Sequence, residues 1–189
     1  MKYIFFALIL SAYSFNCEAS KKGKAQNLTK TDLVELQKAE ESGSALYSAK
    51  IARPENAQNT SRENELVEMA AKLECEGTYT PISVLDEKNS LEKIYLLLLP
   101  KSTSALQVGR HIKFSFSIGT NSLVNTELSS KSCLAIPIDE NSTPYVTHIL
   151  SDFPTEFHVF LSLYYKETIF VGTKKGPWKV EAGKIFLLE

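Results

Sequence analysis

Three histidines, three cysteines and one serine–lysine spacing are the residues of this 189-residue chain whose types and placement invite chemistry. If residues 151–155 turn the chain about Phe153, His148 and His158 fall opposite each other on one face of a hairpin. Cross-strand neighbours of that kind stand close enough to share a metal ion. His111, on the polar side of its own alternating segment, is the third candidate ligand. With a carboxylate or hydroxyl beside it, the His148/His158 pair would also suit a hydrolase whose active site shows no linear motif. The competing reading is three ordinary sheet histidines, because a one-residue slip in register moves each side chain to the other face.

Ser90-Leu91-Glu92-Lys93 matches the S-x-x-K spacing of penicillin-recognising serine enzymes. In those enzymes the motif opens a helix, so the lysine sits one turn from the nucleophile. Here it opens a predicted strand, which puts Ser90 and Lys93 on opposite faces. The partner motifs also fail, since Phe153 follows Ser151-Asp152 and no threonine precedes Gly176 after Lys174-Lys175. A turn followed by a solvated lysine is the expectation. Asp139, Glu140 and Asn141 are adjacent, and calcium needs six to eight oxygens at set offsets, so they too read as turn chemistry.

Cys17 closes an N-terminal address. Residues 4–12 form an apolar run of about half the length a bilayer crossing needs. Cys17-Glu18-Ala19 then supplies small residues at positions −3 and −1, which predicts a signal peptide over 1–19 and cleavage before Ser20. Cys17 is alternatively a lipidation site, although Ser14-Phe15-Asn16 makes a poor lipobox. Either outcome leaves Cys75 and Cys133, an even pair that in an oxidising compartment is expected to form a disulfide.

These residues need elements to place them. Residues 20–27 form a lysine-rich leader. Thr31 is the expected cap of a helix over 32–49, which Gly43 weakens in its middle. Ser61 is the expected cap of a second helix to about residue 73, with Leu66, Val67, Ala70 and Leu73 in one stripe. The helices together with the leader, 20–73, read as a helical hairpin preceding a β domain over 74–189. Strands are predicted over 77–85, 91–99, 111–118, 133–138, 145–150, 156–163, 167–172, 178–181 and 184–188. The fold class is therefore α+β, with a mainly antiparallel, sandwich-like or partly open barrel domain. Trp178 is its expected core anchor.

Composition narrows the function without naming it. A charge of −1 gives no basic field for nucleic acid, and 43% hydrophobic residues exclude a disordered chain. None of the eight glycines lies two residues from another, so no dinucleotide-binding GxGxxG exists, and HExxH, GxSxG and the P-loop are also missing. The expectation is an exported, periplasmic or extracellular, non-enzymatic interaction module without a cofactor. Its partner would be another protein or envelope component, and it would touch a membrane only through an anchor at Cys17. A small-ligand or lipid carrier with an apolar cavity and the hydrolase using His148 and His158 are the alternatives.

Overall fold

The computed structural model describes residues 28–100, 104–138 and 143–188. The expected signal peptide over 1–19, Cys17, the expected leader over 20–27 and the expected turn at Asp139, Glu140 and Asn141 lie outside the described residues.

Helix α1 spans Lys30–Ala52 and α2 spans Ser61–Ala71. Each is capped one or two residues earlier than expected. The Thr29 hydroxyl accepts from the Asp32 amide, and the Asp32 carboxylate accepts from the Thr29 amide at 2.8 Å. Thr60 and Glu63 repeat this reciprocal pair for α2. The reason is the partner three residues on. Thr29 and Thr60 have a carboxylate there, whereas Thr31 meets Val34 and Ser61 meets Asn64.

Strands β1 (Thr78–Asp86), β2 (Leu91–Leu99), β4 (Ile112–Ser117) and β5 (Leu123–Leu128) form an antiparallel sheet in the order β1-β2-β4-β5. Between β2 and β4 the short β3 (Ala105–Gln107) leaves to pair with β6 (Ala135–Pro137). Strand alternation splits the large sheet into two faces. Tyr79, Ile94, Leu96, Leu98, Ile112, Phe114 and Phe116 bury under Leu66, Val67 and Ala70 of α2. Ile82, Tyr95 and Leu97 point the other way, into a core shared with α1. The two N-terminal helices thus clasp opposite faces of one sheet instead of stacking on each other. This explains why β2 is apolar on both sides over residues 94–98, all of them at most 1% exposed.

The second sheet contains β7 (Tyr145–Thr147), β8 (Ile169–Thr173), β9 (Gly176–Glu181) and β10 (Lys184–Leu187) in the order β10-β9-β8-β7. Trp178 is fully buried there, its indole N–H donating to Thr173 Oγ1 at 2.9 Å.

One predicted strand is a helix. Residues 156–163, read as a strand, form helix α3, Glu156–Tyr165. The alternation of Phe157, Val159, Leu161 and Leu163 misleads because the segment is apolar all round, and a short run of that kind has no diagnostic period. Phe157, Phe160, Leu161 and Tyr164 equally satisfy the helical spacing i, i+3, i+4, i+7. Pro154 and Thr155 start the helix, and Lys166 ends it in a left-handed conformation, φ 58°. With a helix between them, β7 and β8 pair in parallel, the one departure from antiparallel order among the described residues. The expected hairpin about Phe153 does not exist. The α+β class and the mainly antiparallel sheets stand, and neither sheet closes into a barrel.

Helix α3 lies between the sheets. Phe157 meets Tyr95 of β2 edge to face at 5.9 Å, and Ser162 Oγ accepts from the Gly183 amide in the β9–β10 turn at 3.1 Å. Among the described residues no helix is long and apolar enough to cross a membrane.

Candidate functional site

The inner face of the large sheet changes character from β1 to β5. It is apolar at Ile82 and Tyr95 but carries Lys93, Lys113, Ser115, Asn125 and Glu127 farther along. Helix α1 and the segment entering α3 form walls above this polar half, leaving an open cleft of about 550 Å3. A second cleft of about 590 Å3 shares Lys38, Ser42, Asp86, Asn89 and Lys93 and continues along α1 past Val34.

Strand β4 was expected to be half-buried with a solvated polar face. Instead Lys113 is 9% exposed and Ser115 5%. The cost of burying Lys113 is met by pairing. Its Nζ stands 2.5 Å from Glu156 Oε1, at the start of α3, and 2.9 Å from Glu127 Oε1 on β5. Burial pulls the Lys113 pKa down, but the charge of Glu156 and the hydrogen bonds to both carboxylates outweigh it and hold it above the ordinary value. Lys93 is likewise not a solvated lysine. Its ammonium bonds Asp86 at 2.7 Å, and with help from Asn89 it drives the Asp86 pKa down to about 2. Ser90 sits in the β1–β2 turn with φ 53°, and the Lys93 ammonium of the S-x-x-K spacing is committed to Asp86.

Glu35 and Lys38 of α1 and Asp152 complete the charged lining. Five carboxylates, Glu35, Asp86, Glu127, Asp152 and Glu156, face three ammonium groups, Lys38, Lys93 and Lys113, a net charge of −2.

The histidines are elsewhere in the core. His111 is fully buried, with Nδ1 accepting from the Leu98 amide at 3.1 Å and Nε2 2.8 Å from the Gln107 carbonyl. That carbonyl accepts only, so Nε2 carries the proton and Nδ1 does not. Burial lowers its pKa to about 4. Its ring stacks on Phe157 at 5.6 Å, and it completes the hydrogen bonding of β2. His148 and His158 do meet, though across a strand end and a helix instead of a hairpin, with ring centroids 4.9 Å apart. His158 Nδ1 accepts from the Thr155 amide at 3.0 Å, which fixes its proton on Nε2. Burial, then the nearby charges of His148 and His111, lowers the His158 pKa to about 3. His148 Nε2 is buried without a hydrogen-bond partner. Two of the three rings therefore already use the nitrogens a metal would need. Among the described residues no group of three or more His, Cys, Asp and Glu side chains could hold a metal ion.

Cys75 and Cys133 are joined as a disulfide, Cα to Cα 5.6 Å, linking the α2–β1 connection to the segment before β6.

Strand alternation in 111–118 already placed Lys113 and Ser115 on one face. Their partners escaped sequence reasoning because Glu156 was assigned to a strand and residues 123–128 to no element. Comparison with protein-family models, with curated proteins and with solved structures finds no match to this chain.

Proposed function

We propose that the protein is an exported binding module and that the cleft between α1 and the large sheet is its contact site. The observation that carries this reading is the charge pairing on the cleft floor. Lys113 is held protonated by two carboxylates, and Asp86 is held ionised by Lys93. Groups locked in one protonation state make poor proton-transfer agents but good fixed charges for recognition. The carrier alternative calls for an enclosed apolar cavity. Both clefts here are open and lined by charges, which favours a polar ligand over a lipid. The hydrolase alternative calls for a nucleophile or water held by His148 Nε2, and no described hydroxyl bonds to it.

Export is part of the proposal. It is supported by the residue pattern over 1–19 and by the Cys75–Cys133 disulfide, a bond at home in oxidising compartments. The partner is then a protein or another component of the envelope or extracellular space.

A photo-crosslinking residue at Lys38, inside the cleft, tests the site in the cell that makes the protein. Glu68, exposed on α2 across the sheet, is the control position. A discrete adduct from position 38 and none from 68 is expected. Equal labelling from both, or none, overturns the cleft as the contact site. Intact mass with and without reductant tests export. A chain starting at Ser20, or at a lipidated Cys17, is expected, and an uncleaved chain with free thiols overturns it.

A further inference from the structure

We propose that the occupant of the cleft is an extended segment of a partner protein, which adds as a new strand to the free edge of β5 and carries lysine or arginine side chains into the cleft. The inference rests on the binding reading above and specifies the chemistry of its ligand.

Among the described residues strand β5 ends the large sheet, paired with β4 on one side only. All six of its residues are exposed, Leu123 at 54% and Val124 at 57%. Proteins guard such edges with lysine, proline, short strands or a cover. This chain does so at β10, where Glu40 of α1 accepts from the edge amide of Ile185 at 2.9 Å and pairs with Lys184. Strand β5 carries neither lysine nor proline.

The direction of its backbone groups follows from the ladder. The Ser129 amide donates to the His111 carbonyl, which makes 111 and 129 a hydrogen-bonded pair. In an antiparallel ladder such pairs alternate. Glu127 and Asn125 therefore face β4, and the N–H and C=O of Thr126 and Leu128 point away from the sheet. The Thr126 amide donates to Asn125 Oδ1 at 2.9 Å, a side-chain carbonyl standing where a partner strand's carbonyl would arrive. Two outward residues at two-residue spacing are what strand addition uses.

The charge of the cleft selects the side chains. An added strand would alternate between the Asn125/Glu127 face, which opens into the cleft, and the face carrying Leu128. The cleft has a net charge of −2 with Lys38 included. Among the described residues Glu35 and Asp152 form no ion pair, while Lys93 and Lys113 are already committed to carboxylates. A segment with basic residues on one face and apolar residues on the other complements both surfaces.

The test titrates the full chain with an acetylated, amidated Thr-Lys-Val-Lys-Val-Lys-Thr peptide, followed by calorimetry and by amide shifts at Thr126 and Leu128. Two control peptides replace lysine by glutamate or methylate alternate backbone nitrogens. Each control is expected to bind at least tenfold more weakly. The Glu35→Gln/Asp152→Asn variant, altered only at exposed positions, is expected to lose about tenfold for the lysine peptide. Equal binding of all three peptides, shifts confined to other strands, or no binding at millimolar peptide overturns the proposal. So does a concentration-dependent dimer with the amide shifts at Thr126 and Leu128, which assigns the edge to a second copy of this chain. If the crosslink from position 38 persists while the peptides fail, strand addition alone falls. If that crosslink is also absent, the binding reading falls with it.

Discussion

Gly43 of α1 lies against Val159 of α3 so closely that a Cβ on the glycine would stand 2.5 Å from Val159 Cβ and 2.7 Å from the Glu156 carbonyl oxygen. The residue that weakens α1 as an isolated helix is the one that lets it seat on α3. Alanine at position 43 gains about 1 kcal/mol of helix propensity but overpacks a contact that includes backbone, where costs run about 1–3 kcal/mol. Gly43→Ala is therefore expected to destabilise, read as a lower urea midpoint with an unchanged slope. Val159→Ala should cost less in the Gly43→Ala background than alone, because it removes Cγ1, one of the two Val159 atoms that would stand 2.5 Å from the added Cβ. A stabilised Gly43→Ala variant would show that the helices do not approach this closely.

The Cys75–Cys133 bond closes a loop of 58 residues. Chain entropy assigns a loop of that length about 4 kcal/mol. The double variant Cys75→Ser/Cys133→Ser should lose roughly that amount in urea unfolding, and reductant should affect the native protein but not the variant. Insensitivity of the native protein to reductant would mean that the thiols do not pair in solution.

Most strands were legible because turn residues bracket alternating or continuous apolar runs, as at β1 and β2. What failed has identifiable causes. α3 was misread because burial all round over 156–162 erases the difference between period 2 and period 3.6, and only Pro154, Thr155 and the i, i+3, i+4, i+7 apolar residues argued otherwise. β5 was missed because none of the described residues covers it, so its sequence, Leu-Val-Asn-Thr-Glu-Leu, shows no buried face. The cleft was legible only as the polar side of β4. The Lys113–Glu156 pair joins residues 43 apart and depends on how α3 docks, which no local pattern encodes. The approach of His148 to His158 was anticipated with the wrong element beneath it; the bond that occupies His158 is a local one to the Thr155 amide at the start of α3, and His111 is held by the Leu98 amide of β2, 13 residues away.

Those buried histidines dictate a pH dependence. The folded-state pKa is about 4 for His111 and about 3 for His158, both below the ordinary 6.5, with burial the main cause. Below pH 6.5 the unfolded chain takes up protons that the folded chain refuses, so stability rises with pH across this window. It is complete above about pH 6.5 and is lost as pH falls toward 4. The His111 displacement corresponds to roughly 3 kcal/mol. Urea midpoints should drop steadily from pH 7 to pH 4.5, and the ring-proton shifts of His111 and His158 should stay flat down to about pH 5. Asp86, depressed to about 2 by Lys93, acts in a separate window, its contribution present above about pH 3.8 and lost toward pH 2. A ring titrating near 6.5 in the folded protein would contradict its burial.

The two carboxylates on Lys113 should have unequal weight. Glu156 shares its burial, with side chains 11% and 12% exposed, whereas the Glu127 side chain is 47% exposed. Water already solvates and screens the outer partner, so Glu127→Gln should cost less than about 1 kcal/mol. Lys113→Met leaves Glu156 charged and without its main partner inside the protein, a situation that costs about 3–5 kcal/mol. Removing both buried charges, as Lys113→Met/Glu156→Gln, should restore a large part of that loss, because the penalty lies in the orphaned charge more than in the absence of the pair. Urea unfolding of these three variants and of Glu156→Gln alone gives the comparison. Additive losses for Lys113 and Glu156 would show that the ammonium is held by water or by Glu127 instead, and that the floor of the cleft is more open than the Lys113–Glu156 contact implies.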